Sequence, residues 1–195
     1  MRRANRPEDL YHDARAMKTL TLLRHAKSGW DDTVSRDFDR PLNAKGRRAA
    51  TIIGRQMRTL SLAFDHVAAS PAVRVVETLD EIVAGYGRTL APDWDRRLYL
   101  ASAGTILDLV RDLPRAVDRA LVIGHNPGLE DLVLLLTPDV THPFRDAVED
   151  KYPTASLAEL QFDIDDWDDL TSGSARFTRF VRPRDLDPTL GPDAD

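Results

Sequence analysis

A chain of 195 residues with 42% hydrophobic content is long enough to bury one substantial core, which favours a single domain with or without tails. Its net charge of −5 argues against a general nucleic-acid binder, and its lack of cysteine excludes disulfides and thiolate metal sites while permitting a reducing cytoplasm. The longest apolar run, Leu132-Val133-Leu134-Leu135-Leu136, is far too short to span a bilayer, so no membrane partner is expected.

Residues 1–16 are polar, lack an apolar h-region and contain Glu8, Asp9 and Asp13, so they read as a polar extension rather than a secretory or organellar leader, and the expected location is cytoplasmic. Thr19 to Leu23 reads as a buried strand that releases the chain at Arg24-His25. Asn43 caps a predicted helix running to Leu60, with Ala49, Ile52, Ile53 and Met57 on its apolar stripe and Lys45, Arg47 and Arg48 on a solvated face. Val67-Ala68-Ala69 is a second short strand. Ser70 is the expected N-cap and Pro71 the expected first residue of the next helix (Val73, Val76, Leu79, Ile82, Val83), which would aim backbone N–H groups and Arg74 at one anion site.

Ile106, Leu107, Leu109 and Val110 mark another helix, ended by Leu113-Pro114. Ala120 to Ile123 is a buried strand that passes through Gly124-His125-Asn126-Pro127-Gly128 into the helix Leu129–Leu136. Leu157 to Phe162 alternates as a strand, the acidic stretch Asp163 to Asp169 reads as a solvated loop, and Phe177 to Val181 is a candidate edge strand. Core or rim packing is the expected role of Trp30, Trp94 and Trp167. This order predicts an α/β fold, a three-layer α/β/α sandwich on a mostly parallel mixed sheet, over residues 17–183, followed by a loose tail over 184–195.

Arg24-His25, Arg74 and His125 are each delivered by the same strand-turn-helix grammar. In open α/β sheets ligands bind outside the carboxyl ends of the strands. A guanidinium is a fixed fork for phosphate oxygens, and a neutral imidazole nitrogen can attack phosphorus. Any one of these residues alone is an ordinary βα-turn residue; their joint recurrence at strand ends points to phosphoryl chemistry. His12, His66 and His142 have no carboxylate or Cys partner at ligand spacing, so neither metal nor other cofactor is expected.

Leu23-Arg24-His25-Ala26-Lys27-Ser28, Asp39-Arg40-Pro41-Leu42-Asn43-Ala44-Lys45-Gly46, Ser70-Pro71-Ala72-Val73-Arg74 with Glu77-Thr78, and Val122-Ile123-Gly124-His125-Asn126-Pro127-Gly128 together resemble the histidine phosphatase superfamily, with its phosphoglycerate-mutase-like fold. The spacing is similar to that of the small SixA-like phosphohistidine phosphatases. Leu98-Tyr99-Leu100-Ala101 and Pro153-Thr154-Ala155-Ser156-Leu157 add weaker matches.

The resemblance implies that His25 is the nucleophile, that Arg24 and Arg74 bind phosphoryl oxygens, that His125 is a second phosphate-contacting imidazole, and that Ser28 and Asn43 help to bind substrate. It departs from the wider superfamily at Asp31, where many members carry a phosphate-holding Asn, a contact then lost or passed to Asn43. It departs again at Leu100 and Asn126, where mutases and many phosphomonoesterases place a general acid.

No long insertion between Arg74 and His125 could form a cap, so an open site is expected. The expected activity is therefore phosphatase action on phosphohistidine of a partner protein, which the SixA resemblance extends to a histidine phosphotransfer domain. The alternatives are a broad small-molecule phosphomonoesterase or sugar-phosphate phosphatase, and a non-catalytic phosphate-binding module; a mutase weighs less without an acid or a cap.

Overall fold

The computed structural model describes residues 17–30 and 35–191; the expectations about residues 1–16, Asp31 and 192–195 fall outside them. Strands β1 (Met17–Arg24), β2 (His66–Ala69), β3 (Asp93–Trp94), β4 (Arg119–Gly124), β5 (Leu157–Asp163) and β6 (Arg176–Val181) form one sheet in the order β3-β2-β4-β1-β5-β6. The first four run parallel. β5 then joins β1 antiparallel, and β6 joins β5 antiparallel as the edge.

The mixed sheet is covered on both faces, which explains why β1 and β4 read as unbroken apolar runs. Leu20 and Leu22 of β1 pack with Ala120 and Val122 of β4 against helices α3 (Ala103–Arg111), α4 (Gly128–Leu136) and α5 (Pro143–Asp150). Leu23, Leu121 and Ile123 face the other way, against α1 (Ala44–Thr59) and α2 (Val73–Tyr86). The predicted three-layer architecture is therefore present.

Local signals set several boundaries. The Asn43 side chain accepts a hydrogen bond from Gly46 N at 2.8 Å and caps α1, while Ser102 caps α3 through Thr105 N. Gly87, at φ 73°, ends α2 in the left-handed conformation that glycine adopts without steric cost.

Two elements had no sequence signal strong enough to predict them. β3 is a two-residue exposed edge, and α5 opens on His142-Pro143, which reads locally as a break although Pro is favoured at a helix start. The acidic stretch contains a 3-10 turn, Trp167–Asp169, whose Trp167 is fully buried and donates to Val117 O at 2.7 Å. Part of the segment expected to be loose is also built. Pro183–Leu186 forms a short helix, α6, and Pro188–Leu190 a 3-10 turn; Lys45 Nζ donates to Gly191 O at 2.7 Å, and Arg48 pairs with Asp187. A positively charged face of α1 thus holds down an Asp-containing segment, which composition alone does not reveal.

The two helices on one face approach closely at small residues. A Cβ at Gly54 of α1 would lie 2.3 Å from Ile82 O, and one at Gly85 of α2 would lie 2.1 Å from Thr51 O. Both neighbours are backbone and cannot swing aside. Gly85→Ala is therefore expected to destabilise the fold by roughly 1–3 kcal/mol, the usual cost of overpacking. Urea denaturation measures it, and an unchanged midpoint would contradict the close approach.

Candidate active site

The carboxyl ends of β1, β4 and β2 lie side by side and deliver Arg24-His25, His125 and Ser70 to one place. The turn after β1 is held by backbone bonds from His25 N to Gly124 O at 3.0 Å and from Ala155 N to the carbonyls of Arg24 and His25. Ala26 N donates to Thr78 Oγ1 at 2.9 Å, which ties the same turn to α2. Arg74 enters from the first turn of α2, so the four residues singled out from the sequence are brought together.

The local geometry around Ser70 differs from expectation. α2 starts at Val73 with Ala72 as its cap residue, not at Pro71 with Ser70 as the cap. The Ser70 hydroxyl lies 2.8 Å from His125 Nε2, where it satisfies a buried imidazole, and it also accepts a long bond of 3.4 Å from the N–H of Ala72, the cap residue.

The hydrogen bonds assign both tautomers. His25 Nδ1 lies 2.8 Å from Ala26 O, a pure acceptor, so Nδ1 carries the proton and the Nε2 lone pair is left to accept from Arg74 Nε at 3.3 Å. Arg74 Nη2 lies 3.2 Å from His125 Nδ1, and because guanidinium only donates, His125 carries its proton on Nε2 and gives it to Ser70. The imidazole centroids are 5.1 Å apart. Burial, reinforced by the charges of Arg74 and Arg24, pushes His25 down to about 4; the Ala26 bond opposes this without reversing it. Burial, the neighbouring His25 and Arg74 push His125 down to about 3. Both rings are neutral at pH 7.

Arg24, His25, Lys27, Ser28, Asp37, Arg40, Arg74, Leu100 and Thr154 line an open cavity of about 380 Å³. Ser28 is on its wall as expected. Asn43 is not among its lining residues, and its side-chain oxygen accepts the α1 cap bond. His125 is 2% exposed and also lies behind the wall, reaching the cavity through Arg74. Arg24 donates from Nη1 to Tyr152 O at 2.6 Å, while its buried Nε has no partner.

Sequence reasoning missed Asp37. Its carboxylate accepts from Arg74 Nη2 at 3.0 Å, from Arg40 at 2.9 Å and from the Tyr99 hydroxyl at 2.8 Å, and its carbonyl accepts from Arg74 Nη1 at 2.7 Å. Burial raises the Asp37 carboxyl, but the hydrogen bonds from Arg40 and Tyr99 and the charge of Arg74 outweigh it and hold the group at about 2. It is a fixed carboxylate and cannot donate a proton near neutrality. Asp37 lies on a 3-10 turn without hydrophobic periodicity, which left no local signal; Arg40, in a motif already noted, was the available clue.

Leu100 stands on the cavity rim, 55% exposed and at φ 50°, while the Asn126 amide donates to Glu130 at 2.8 Å and to Tyr152 O. Neither residue brings an acid into the cavity. Trp30 is largely exposed and stacks on Arg40, Trp94 is exposed on β3, and Trp167 is core. His66 does find a carboxylate, Asp93 at 3.6 Å on the adjacent strand, but among the described residues no group of three or more His, Asp or Glu is placed to hold a metal.

Residues 20–124 match the family model of the histidine phosphatase superfamily (branch 1). An uncharacterized protein of Mycobacterium tuberculosis (strain H37Rv) is 32% identical over 164 residues, covering 83% of this chain and 100% of that protein. A solved structure from Nakamurella multipartitia, provisionally named phosphohistidine phosphatase SixA, superposes with a TM-score of 0.75 at 29% identity, over 88% of this chain and 99% of that one. The corresponding Agrobacterium tumefaciens structure, named in the same provisional way, gives 0.71 at 27% identity, over 85% and 98%.

The depressed imidazoles make stability depend on pH with a defined sign. Unfolded histidines titrate near 6.5, whereas His25 and His125 titrate at about 4 and about 3 when folded. Between those values the unfolded chain binds more protons, so the unfolding free energy falls as pH falls from 6.5 towards 4, with a slope of up to ~1.4 kcal/mol per pH unit for each ring. Urea melts at pH 7, 6 and 5 should show this loss, and a double His25→Gln, His125→Gln variant should show a shallower one. Equal slopes in the two proteins would refute the assignment.

Proposed function

Because this chain belongs to the histidine phosphatase superfamily, we propose that it is a metal-independent phosphatase whose His25 accepts the phosphoryl group from phosphohistidine on a partner protein. The observation that carries this reading is the neutral His25 ring, with its Nδ1 proton held by Ala26 O and its Nε2 lone pair turned to Arg74 at an open cavity.

An incoming phosphoryl oxygen takes over the long Arg74 Nε contact and frees the Nε2 lone pair for attack on phosphorus. The bond from His25 Nε2 to phosphorus forms as the substrate nitrogen–phosphorus bond breaks, and the departing imidazole takes its proton from solvent. Water then attacks the same phosphorus, releasing inorganic phosphate and restoring His25. Arg74 and Arg24 stabilise the charge on the transferring group, the role of preorganised cationic donors in phosphoryl transfer. His125 holds Arg74 in place through its Nδ1 lone pair.

The leaving group fits the absence of an acid. Asp37 is held at about 2, and the rim position that could carry a proton donor is Leu100. An alkyl phosphoester must expel an alkoxide, whereas phosphohistidine, once solvent has protonated its other ring nitrogen, releases a neutral imidazole whose conjugate acid has a pKa of roughly 6.5. The connection from Arg74 to His125 contains only α2, β3, a short 3-10 turn, α3 and β4, which supports an uncapped site accessible to a protein-borne side chain. The provisional names of the Nakamurella multipartitia and Agrobacterium tumefaciens structures, phosphohistidine phosphatases, agree with that substrate class. On the same reading the setting is cytoplasmic and the partner a protein such as a histidine phosphotransfer domain, in line with the phosphohistidine phosphatase names of those two structures.

His25→Ala should remove nearly all turnover and keep the fold. Acid-free quenching of the wild type should trap a phosphoryl adduct that survives alkali and is lost in acid; an acid-stable adduct, or wild-type rates in the variant, would exclude His25 as the nucleophile.

The substrate class is tested by a panel of phosphohistidine peptide, aryl phosphate, phosphoserine and a sugar phosphate on the purified chain. General-acid assistance is typically worth about 10²–10⁴-fold, so the unactivated alkyl phosphates should lag by that order. Equal efficiency across the panel would replace the proposal with a broad phosphomonoesterase, and binding without turnover of any member would leave only a phosphate-binding module.

A further inference from the structure

A second cavity, of about 270 Å³, opens beside the first and shares Arg24, Lys27 and Thr154 with it. It is bordered by six cationic residues, Arg24, Lys27, Lys45, Lys151, Arg182 and Arg184, and no carboxylate residue is among its described lining. This concentration of positive charge stands on a chain whose net charge is −5. We infer that this groove is a specificity site, which receives an acidic peptide segment adjoining the phosphorylated residue of the substrate protein.

The arrangement favours an extended acidic chain over a single compact anion. The cations come from separate segments: the end of β1 and the turn after it, the start of α1, the residue after α5 and the stretch around α6. Some are already engaged. Lys45 Nζ donates to Gly191 O, and Arg182 is paired with Asp185 at 2.9 Å, so the groove offers a distributed positive field rather than donors converging on one point. Ala49, Pro183 and Leu190 give it an apolar floor, on which the methylene and backbone parts of a peptide can lie. Continuity through Arg24 and Thr154 places such a segment in line with the His25 cavity. The inference rests on the phosphatase reading for the identity of the neighbouring group, but binding to the groove can be read without catalysis.

The test uses two fluorescent, unphosphorylated peptides of equal length, one rich in Asp and Glu and one with Gln and Asn in their place, and compares wild type with a Lys151→Ala, Arg184→Ala double variant. Both substituted side chains lie outside the His25 cavity. The wild type should bind the acidic peptide in preference, with an affinity that falls as salt rises, and the double variant should lose roughly tenfold. The matching phosphohistidine peptides should show the same difference in KM, with little change in kcat. Aryl phosphate turnover should be unchanged in the variant, which also reports an intact fold.

Equal binding of the two peptides, or an unchanged affinity in the double variant, would overturn the inference. So would pyrophosphate or citrate displacing the acidic peptide at concentrations that match its own affinity, because the groove would then be a small-anion subsite. Absence of turnover on every phosphorylated substrate would strike the phosphatase reading alone, since the unphosphorylated peptides still decide the groove.

Discussion

The Arg74 guanidinium, only 3% exposed, is bonded at once to His25, His125 and both the carbonyl and the carboxylate of Asp37. An isolated buried cation is costly, and it is tolerated where its donors are matched and its charge is opposed. Asp37 supplies the opposing charge, and the two neutral rings supply nitrogen lone pairs. This one residue therefore joins the ends of β1 and β4 to the first turn of α2 and to the 3-10 turn that carries Asp37. It also disfavours a proton on either histidine, so in the proposed mechanism the group assigned to the phosphoryl oxygens also keeps the proposed nucleophile unprotonated.

The parallel part of the sheet makes this meeting possible. β2, β4 and β1 are adjacent and run in the same direction, so residues far apart in sequence leave the sheet at one edge. The helices lock the arrangement rather than contribute most of the chemistry. Thr78 of α2 accepts from Ala26 N and donates to Arg74 O, while Glu77 accepts from Leu42 N at 2.6 Å and pairs with Arg47 of α1. The close α1–α2 packing at Gly54 and Gly85 thereby bears on the placement of Arg74 as well as on stability.

Charge is distributed unevenly across the molecule. Acidic residues dominate the total, yet the two adjoining cavities are lined by Arg24, Lys27, Lys45, Arg40, Arg74, Lys151, Arg182 and Arg184, opposed within their lining by Asp37. Such focusing draws anions to one mouth of an otherwise acidic surface. Asp37 neutralises part of the Arg74 charge, and in the proposed reaction a phosphoryl group competes with it for the same donors.

Sequence by itself determined the fold class and the principal chemical groups. Apolar runs covered on both faces marked β1 and β4, helical periodicity marked α1, α2 and α4, and Asn43 marked the start of α1, because each of these signals arises from neighbours in the chain. Arg24, His25, Arg74 and His125 were legible for the same reason, as residues at the ends of strands or in the first turn beyond them. Tertiary structure decided their duties. It set Asn43 as the cap of α1, placed the Ser70 hydroxyl on His125, withdrew His125 behind Arg74, and brought in Asp37 and Tyr99 from segments with no periodic signal. It also drew residues 183–191 onto α1 and so created a basic groove from four segments. Local pattern reports what a residue's own backbone requires, whereas hydrogen-bond partners and electrostatic fields depend on which distant segments the sheet order places beside it.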